Sequence, residues 1–338
     1  MRRLGRALLL LSTVALAASA HAGAAFNWDA LRNPVLSYPH WSIKDPSLAW
    51  ERGTIYVFFS AFYQDHGRIR SHVVEVSTQD FLTFSRPILN FEGEKDGWIG
   101  MCTPDVQKLG KTWELSFNSW GDDPKRPDQL FYMTSPDLVR WAAPSPLAAN
   151  LTVGQSVIGP SLTSADGSYY AAWRQGLEDF PNDIRVRFAA AKSLAGPWHY
   201  VGFGYASLRM ADGKDNGLIH ENYQFLRIGN VLRMLSDDYR DNVEGEYLYT
   251  LADAAQPLNW EKGFEIKVPL EGFNRSIRCQ AASLYDRRAD DGYFYMIYAG
   301  SNEQTAYLGR GWNRLALVRS KDLVHWFAPG SGSHSVTK

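Results

Sequence analysis

Cysteine is scarce in this 338-residue sequence: Cys102 and Cys279 are the only two. That excludes the multi-bridge framework that staples small secreted domains, and it leaves one bridge or two buried thiols as the open readings. No Cys and His fall at the spacing of a zinc site. An excess of one charge is also lacking. Thirty-five Lys and Arg stand against 36 Asp and Glu, a formal net charge of −1, and the basic residues are scattered. The electrostatic footprint of a nucleic-acid or anionic-membrane partner is therefore absent. The one long apolar run, Ala7 to Ala18, is too short to span a bilayer. Arg2, Arg3 and Arg6 precede it, and Ala18, Ala20 and Ala22 offer small-residue cleavage sites. Residues 1–22 are thus expected to be a signal peptide, which makes the protein secreted or periplasmic with no membrane anchor. Helical periodicity is missing from the rest of the chain.

What the chain does have is aromatic residues, 14% of the total with twelve Trp, and an internal repeat. Five segments share a small polar turn that ends in an aromatic: Thr78 to Phe84, Ser135 to Trp141, Lys192 to Trp198, Asp253 to Trp260 and Ser320 to Trp326. The final aromatics are spaced by 57, 57, 62 and 66 residues. Ser and Asp in such turns bond to nearby backbone N–H groups, so these Asp residues are expected to be structural. Upstream of each turn a short strand enters a Gly- or Asp-containing hairpin and returns as an aromatic-rich strand. Each unit has room for four strands, and radial repetition of such sheets solves the edge-strand problem. The expectation is an all-β fold, a single five-bladed β-propeller of four-stranded antiparallel blades over residues 26–330. Residues 25–40 can add a strand to the last blade and close the ring.

In such a ring the first strand of each blade lines the axis, so equivalent positions converge. Aligned with Asp45 are Thr103, Gly159, Glu221 and Ala281. The two cysteines fall at the starts of inner strands in blades two and five, which are not neighbours. Tyr63, Trp120, Trp173, Arg174, Asp237 and Asn302 are expected at the same mouth, because each second strand returns to it. Two carboxylates facing one pocket suit glycosidic bond cleavage, with Asp45 the ionised base and Glu221 the protonated acid. Tyr223, two residues along, can stack on a sugar or fill the channel. His40 and Trp41 can line a subsite, and His220 is either a reserve proton donor or a packed core residue.

These residues carry a resemblance to glycoside hydrolase family 43 and its five-bladed relatives, the arabinanases, arabinofuranosidases and xylosidases. Asp45-Pro46-Ser47 resembles that family's catalytic-base motif, and the hairpin from Glu221 to Leu235 resembles the one bearing its general acid. The resemblance implies inverting hydrolysis of an arabinan-like oligo- or polysaccharide, and the protein is expected to be a monomer. It implies no cofactor, although some relatives hold a cation such as calcium in the channel. One departure is plain. The family's third acidic residue belongs in Ile158-Gly159-Pro160-Ser161, where glycine stands in its place. Asp105, on the same strand face as Thr103, is the candidate replacement, while Arg174, Arg278, Trp41, Trp120 and Tyr223 are the candidate substrate contacts. Gly159 also keeps open a catalytically silent glycan-binding propeller, and a retaining or transglycosylating relative is a third reading.

Overall fold

The computed structural model describes residues 27–330, apart from 94–98, 122–128, 178–179, 216–219, 239–244 and 304–312. The segment 1–22 read as a signal peptide lies outside the described residues. Blade one is β1 (Ser42–Glu51), β2 (Thr54–Asp65), β3 (Arg68–Thr78) and β4 (Leu89–Phe91), and blade two is β5 (Gly100–Leu109), β6 (Thr112–Trp120), β7 (Leu130–Ser135) and β8 (Ser145–Pro146). Blade three is β9 (Val157–Ala165), β10 (Ser168–Leu177), β11 (Phe180–Ala191) and β12 (His199–Tyr205). Blade four holds β13 (Ser207–Met210), β14 (His220–Ile228), β15 (Val231–Asp238), β16 (Glu246–Leu251) and β17 (Asn259–Ile266). Blade five is β18 (Ile277–Asp286), β19 (Phe294–Ser301), β20 (Arg314–Ser320) and β21 (Trp326–Phe327). Five blades are present, as the repeat predicts. Blade four departs by one strand, because β13 adds to its outer edge in parallel with β17. No helix among the described residues is long and apolar enough to cross a membrane.

The central strands read as unbroken apolar runs because both of their faces are covered. Along β2, Val57, Phe59 and Ala61 pack toward blade five, while Phe58 packs toward blade two. The period of two thus splits one run between two cores. The same division repeats round the ring, so one apolar cluster fills each of the five junctions between neighbouring blades. A side chain such as Phe117, fully buried in the junction of blades one and two, contributes roughly 1.5–3 kcal/mol.

The repeated turns do what their composition requires. Asp80 Oδ1 accepts the N–H groups of Leu82 and Thr83, each at 2.9 Å, and Asp322 Oδ1 those of Val324 and His325 at 2.9 and 2.8 Å. These bonds hold the Asp322 carboxyl well below its ordinary range. The ring is closed by the N-terminal segment. Leu36 and Leu315 exchange backbone hydrogen bonds of 3.2 and 3.0 Å, and the Asn33 amide bonds both backbone groups of Leu317. This is a single bridge with a side-chain clasp, smaller than the expected extra strand. Cys102 and Cys279 are separate buried thiols.

Candidate active site

Each inner strand is interrupted near its start. The register slips between Lys44 and Ser47, Cys102 and Asp105, Ile158 and Ser161, Glu221 and Gln224, and Gln280 and Ala282. At the centre of each bulge stands a residue in the left-handed region: Asp45 (φ 53°), Thr103 (53°), Gly159 (66°), Asn222 (53°) and Ala281 (51°). All five line one axial cavity, together with Pro46, Pro104, Asp105, Pro160, Tyr223 and Gln224. The sequence alignment is corrected here by one residue. Asn222, and not Glu221, is the blade-four counterpart of Asp45, while Glu221 corresponds to Lys44 as the last paired residue before the bulge.

Opposite those last paired residues, the second strands present Ser60, Asn118, Arg174, Asp237 and Ala299. Three of them accept the backbone N–H of the next blade's bulge residue: Ser60 from Thr103 at 2.8 Å, Asn118 from Gly159 at 3.0 Å and Asp237 from Ala281 at 3.1 Å. A guanidinium cannot accept, and Arg174 instead donates from Nη1 to Glu221 Oε2 in an ion pair. Asp45 is buried, takes the Ser60 hydroxyl proton on Oδ2 at 2.6 Å, and has Lys44 Nζ 3.4 Å from Oδ1. At Gly159 a Cβ would lie 2.9 Å from the Asn222 backbone nitrogen, so the acidic side chain that the resemblance calls for has no room there unless that backbone shifts.

One layer deeper, a second set of residues ties the blades together. Ser47, Asp105, Ser161, Gln224 and Ser283 each accept a backbone N–H from the following blade, respectively Val106 (3.0 Å), Leu162, Phe225 (3.1 Å), Leu284 (2.8 Å) and Leu48 (3.0 Å). Because Ser283 returns to Leu48 of blade one, the belt is continuous. Asp105 is a member of this belt, bonded also by Ser161 Oγ at 2.6 Å and by Gln107 Nε2. Burial pushes its carboxyl up to about 7, against these hydrogen bonds. It borders the cavity, but its oxygens are engaged in holding the fold.

Of the other candidates, Tyr223 alone borders the cavity. Tyr223 is 2% exposed and packs in the junction of blades three and four, its hydroxyl donating to the His220 carbonyl at 2.6 Å, so it fills space and offers no free ring face. His220 lies inside blade four between Ser236 Oγ (2.8 Å) and Tyr249 (3.2 Å), the packed reading of that residue. Trp173, expected at the mouth, is fully buried in the junction of blades two and three. Trp120 meets Phe62 edge-on at 5.2 Å, and Trp41 leans on Tyr38 at 5.0 Å beside exposed His40. Arg278 is half-buried at the start of β18, its Nε without an acceptor among the described residues. Tyr63 bonds His72 at 2.6 Å, while Asn302 clamps a loop through Arg275 and Gly272. Among the described residues, no group of three or more His, Cys, Asp and Glu is placed to hold a metal ion.

Neither known family models nor curated protein sequences match this chain. Solved structures do. A family 43 β-xylosidase/α-arabinofuranosidase from a compost microbial metagenome, in complex with xylotriose, aligns at 15% identity and TM-score 0.60 over 88% of this chain and 98% of its own. The chain shares the propeller fold of these enzymes. An α-L-arabinofuranosidase from Lactobacillus brevis aligns at 13% identity and TM-score 0.58, over 87% and 94% of the two chains. A structure from the family 130 mannoside phosphorylases, which include hydrolases of β-1,2 mannosidic linkages in Candida mannan, aligns at 16% and 0.60, over 88% and 95%.

Proposed function

We propose that this protein is an exported glycoside hydrolase acting on furanosidic or pentose-containing glycans of the arabinan type. The observation that carries the reading is Asp45: a buried carboxylate at the bulge of blade one and in the lining of the axial cavity, with Oδ2 fixed by the Ser60 hydroxyl. Asp45 acts as the base that activates water, and Glu221, adjoining the same ring of bulge residues, acts as the proton donor to the leaving oxygen. A guanidinium against a carboxyl favours its ionised form, so a proton donor needs that partner drawn away. Arg174 is therefore expected to move from Glu221 to a substrate hydroxyl as the glycan binds. The fold neighbours, which include arabinofuranosidase and xylosidase structures, support the choice of glycan.

The test is the release of new reducing ends from a panel of arabinans, xylans and fructans. Turnover by the wild-type protein, its loss in Asp45→Asn and its reduction in Glu221→Gln are the expected results, with unfolding temperatures unchanged. Full activity in either variant removes that residue from the mechanism. A second reading, a silent glycan-binding propeller, is favoured by the closed position at Gly159 and the Arg174–Glu221 pair. Binding of arabinan without turnover would establish it. The configuration of the released sugar, followed by NMR, separates inversion from retention.

A further inference from the structure

The bulge of blade four carries hydrogen-bonding capacity that the protein itself leaves unused. The Asn222 amide is held one way round: Nδ2 donates to Asp237 Oδ2 at 2.9 Å, and Asp237 is fixed in turn by the Ala281 N–H at 3.1 Å. Because the amide is planar, Oδ1 points away from Asp237, and it is buried with no hydrogen-bond donor among the described residues. Asp45 shows the same asymmetry. Its Oδ2 accepts a hydrogen bond from the Ser60 hydroxyl, while Oδ1 is buried and, among the described residues, has no hydrogen-bond donor and only the Lys44 ammonium at 3.4 Å. Both residues line one cavity, and buried acceptors left without donors are costly. The remaining ring positions cannot meet the need. Gly159 and Ala281 have no polar side chain, and the Thr103 hydroxyl is engaged with the Cys102 carbonyl at 2.9 Å and with Asn118.

We propose that Asn222 Oδ1 and Asp45 Oδ1 together hold the attacking water, which makes Asn222 a water-positioning residue of the hydrolysis; the inference rests on the reading of Asp45 and Glu221 given above. A water donating one proton to each oxygen presents a lone pair to the anomeric carbon. In the step, the water oxygen bonds to that carbon and the glycosidic C–O bond breaks. Its electron pair leaves on the departing oxygen, which takes the proton of Glu221, while the water's proton passes to Asp45. An amide oxygen is too weak a base to compete, so Asn222 anchors one hydrogen and leaves the other to the carboxylate.

The test is Asn222→Gly, since glycine tolerates the positive φ and Ala281 shows that the equivalent place needs no polar side chain. The wild-type and variant proteins are crystallised at a resolution that shows ordered water, and both are assayed. The expected result is a water bridging Asp45 and Asn222 in the wild type, lost in the variant, with kcat down about 100-fold at unchanged KM. No bridging water in the wild type overturns the inference whatever the activity. Wild-type kcat in the variant overturns it while leaving the hydrolase reading intact. A wild type that holds the water but turns over no glycan sinks the hydrolase reading, and the water's role with it.

Discussion

Replacing Asp105 by asparagine should flatten the pH dependence of stability. Asp105 sits in the belt around the axis among Ser47, Gln107 and Ser161, and burial raises its folded pKa from 3.8 to about 7. The native state therefore keeps a proton that the unfolded chain has already lost across the range from 3.8 to about 7. Where the native state binds more protons, stability falls as pH rises. At 1.36 kcal/mol for each pH unit, the fully ionised form is less stable than the protonated one by about 4 kcal/mol. Of this, about 3 kcal/mol is lost between about pH 5 and about pH 8.5, or about 5 °C in unfolding temperature for a domain of this size. Glu75 and Glu114, raised by burial to about 8 and about 7, push in the same direction. Wild-type stability should therefore fall by more than Asp105 alone accounts for. Asparagine still accepts the Leu162 N–H but carries no titrating proton, so calorimetry on both proteins across that range isolates the residue. Parallel curves for wild type and Asp105→Asn would refute the reasoning.

Three further outcomes follow from the same geometry. Gly159→Asp, which installs the acidic residue that the family resemblance calls for, should cost about 1–3 kcal/mol in urea unfolding, because its Cβ meets the Asn222 backbone; unchanged stability would show that the bulge can give way. Ser283→Ala leaves the buried Leu48 N–H without its partner where the belt passes from blade five to blade one, and should cost about 1–3 kcal/mol in the same assay. Arg174→Gln should raise KM for a glycan substrate more than it lowers kcat if the guanidinium transfers to the substrate. A fall in kcat alone would contradict that transfer.

The repeat and its five aromatic turns were legible because the same local chemistry recurs five times, and the blades form where it predicts. The register of blade four was harder to see. Aligning the hairpins by their starts sets Glu221 against Asp45, yet the backbone selects by position within the bulge, where Asn222 takes the left-handed conformation as readily as an Asp. A better signal lay two residues further on. Ser47-Leu48, Asp105-Val106, Ser161-Leu162, Gln224-Phe225 and Ser283-Leu284 each pair a belt acceptor with an apolar residue, and aligning on these pairs gives Asn222 at once. The strand face of Asp105 alone makes it a candidate catalytic substitute. Its engagement by Ser161 and Leu162 depends on two separate blades meeting, which no single segment encodes. The parallel strand Ser207–Met210 likewise has no local signature, since its partner lies some fifty residues on. Trp173 and Arg174 show how much one residue of phase matters: the first lies in the core, the second against Glu221.

The Asn33–Leu317 clasp has a consequence for the order in which the molecule is built. Its partners are 284 positions apart, so the contact cannot form until all five blades have been synthesised. Until then the first blade has no neighbour on one side and exposes Val57, Phe59 and Val74, which the last blade later covers. Contacts of such high sequence separation slow folding. Assembly of this protein is therefore expected to end with a slow docking of first blade against last, leaving an interval in which a sticky flank is open to chaperones or to aggregation.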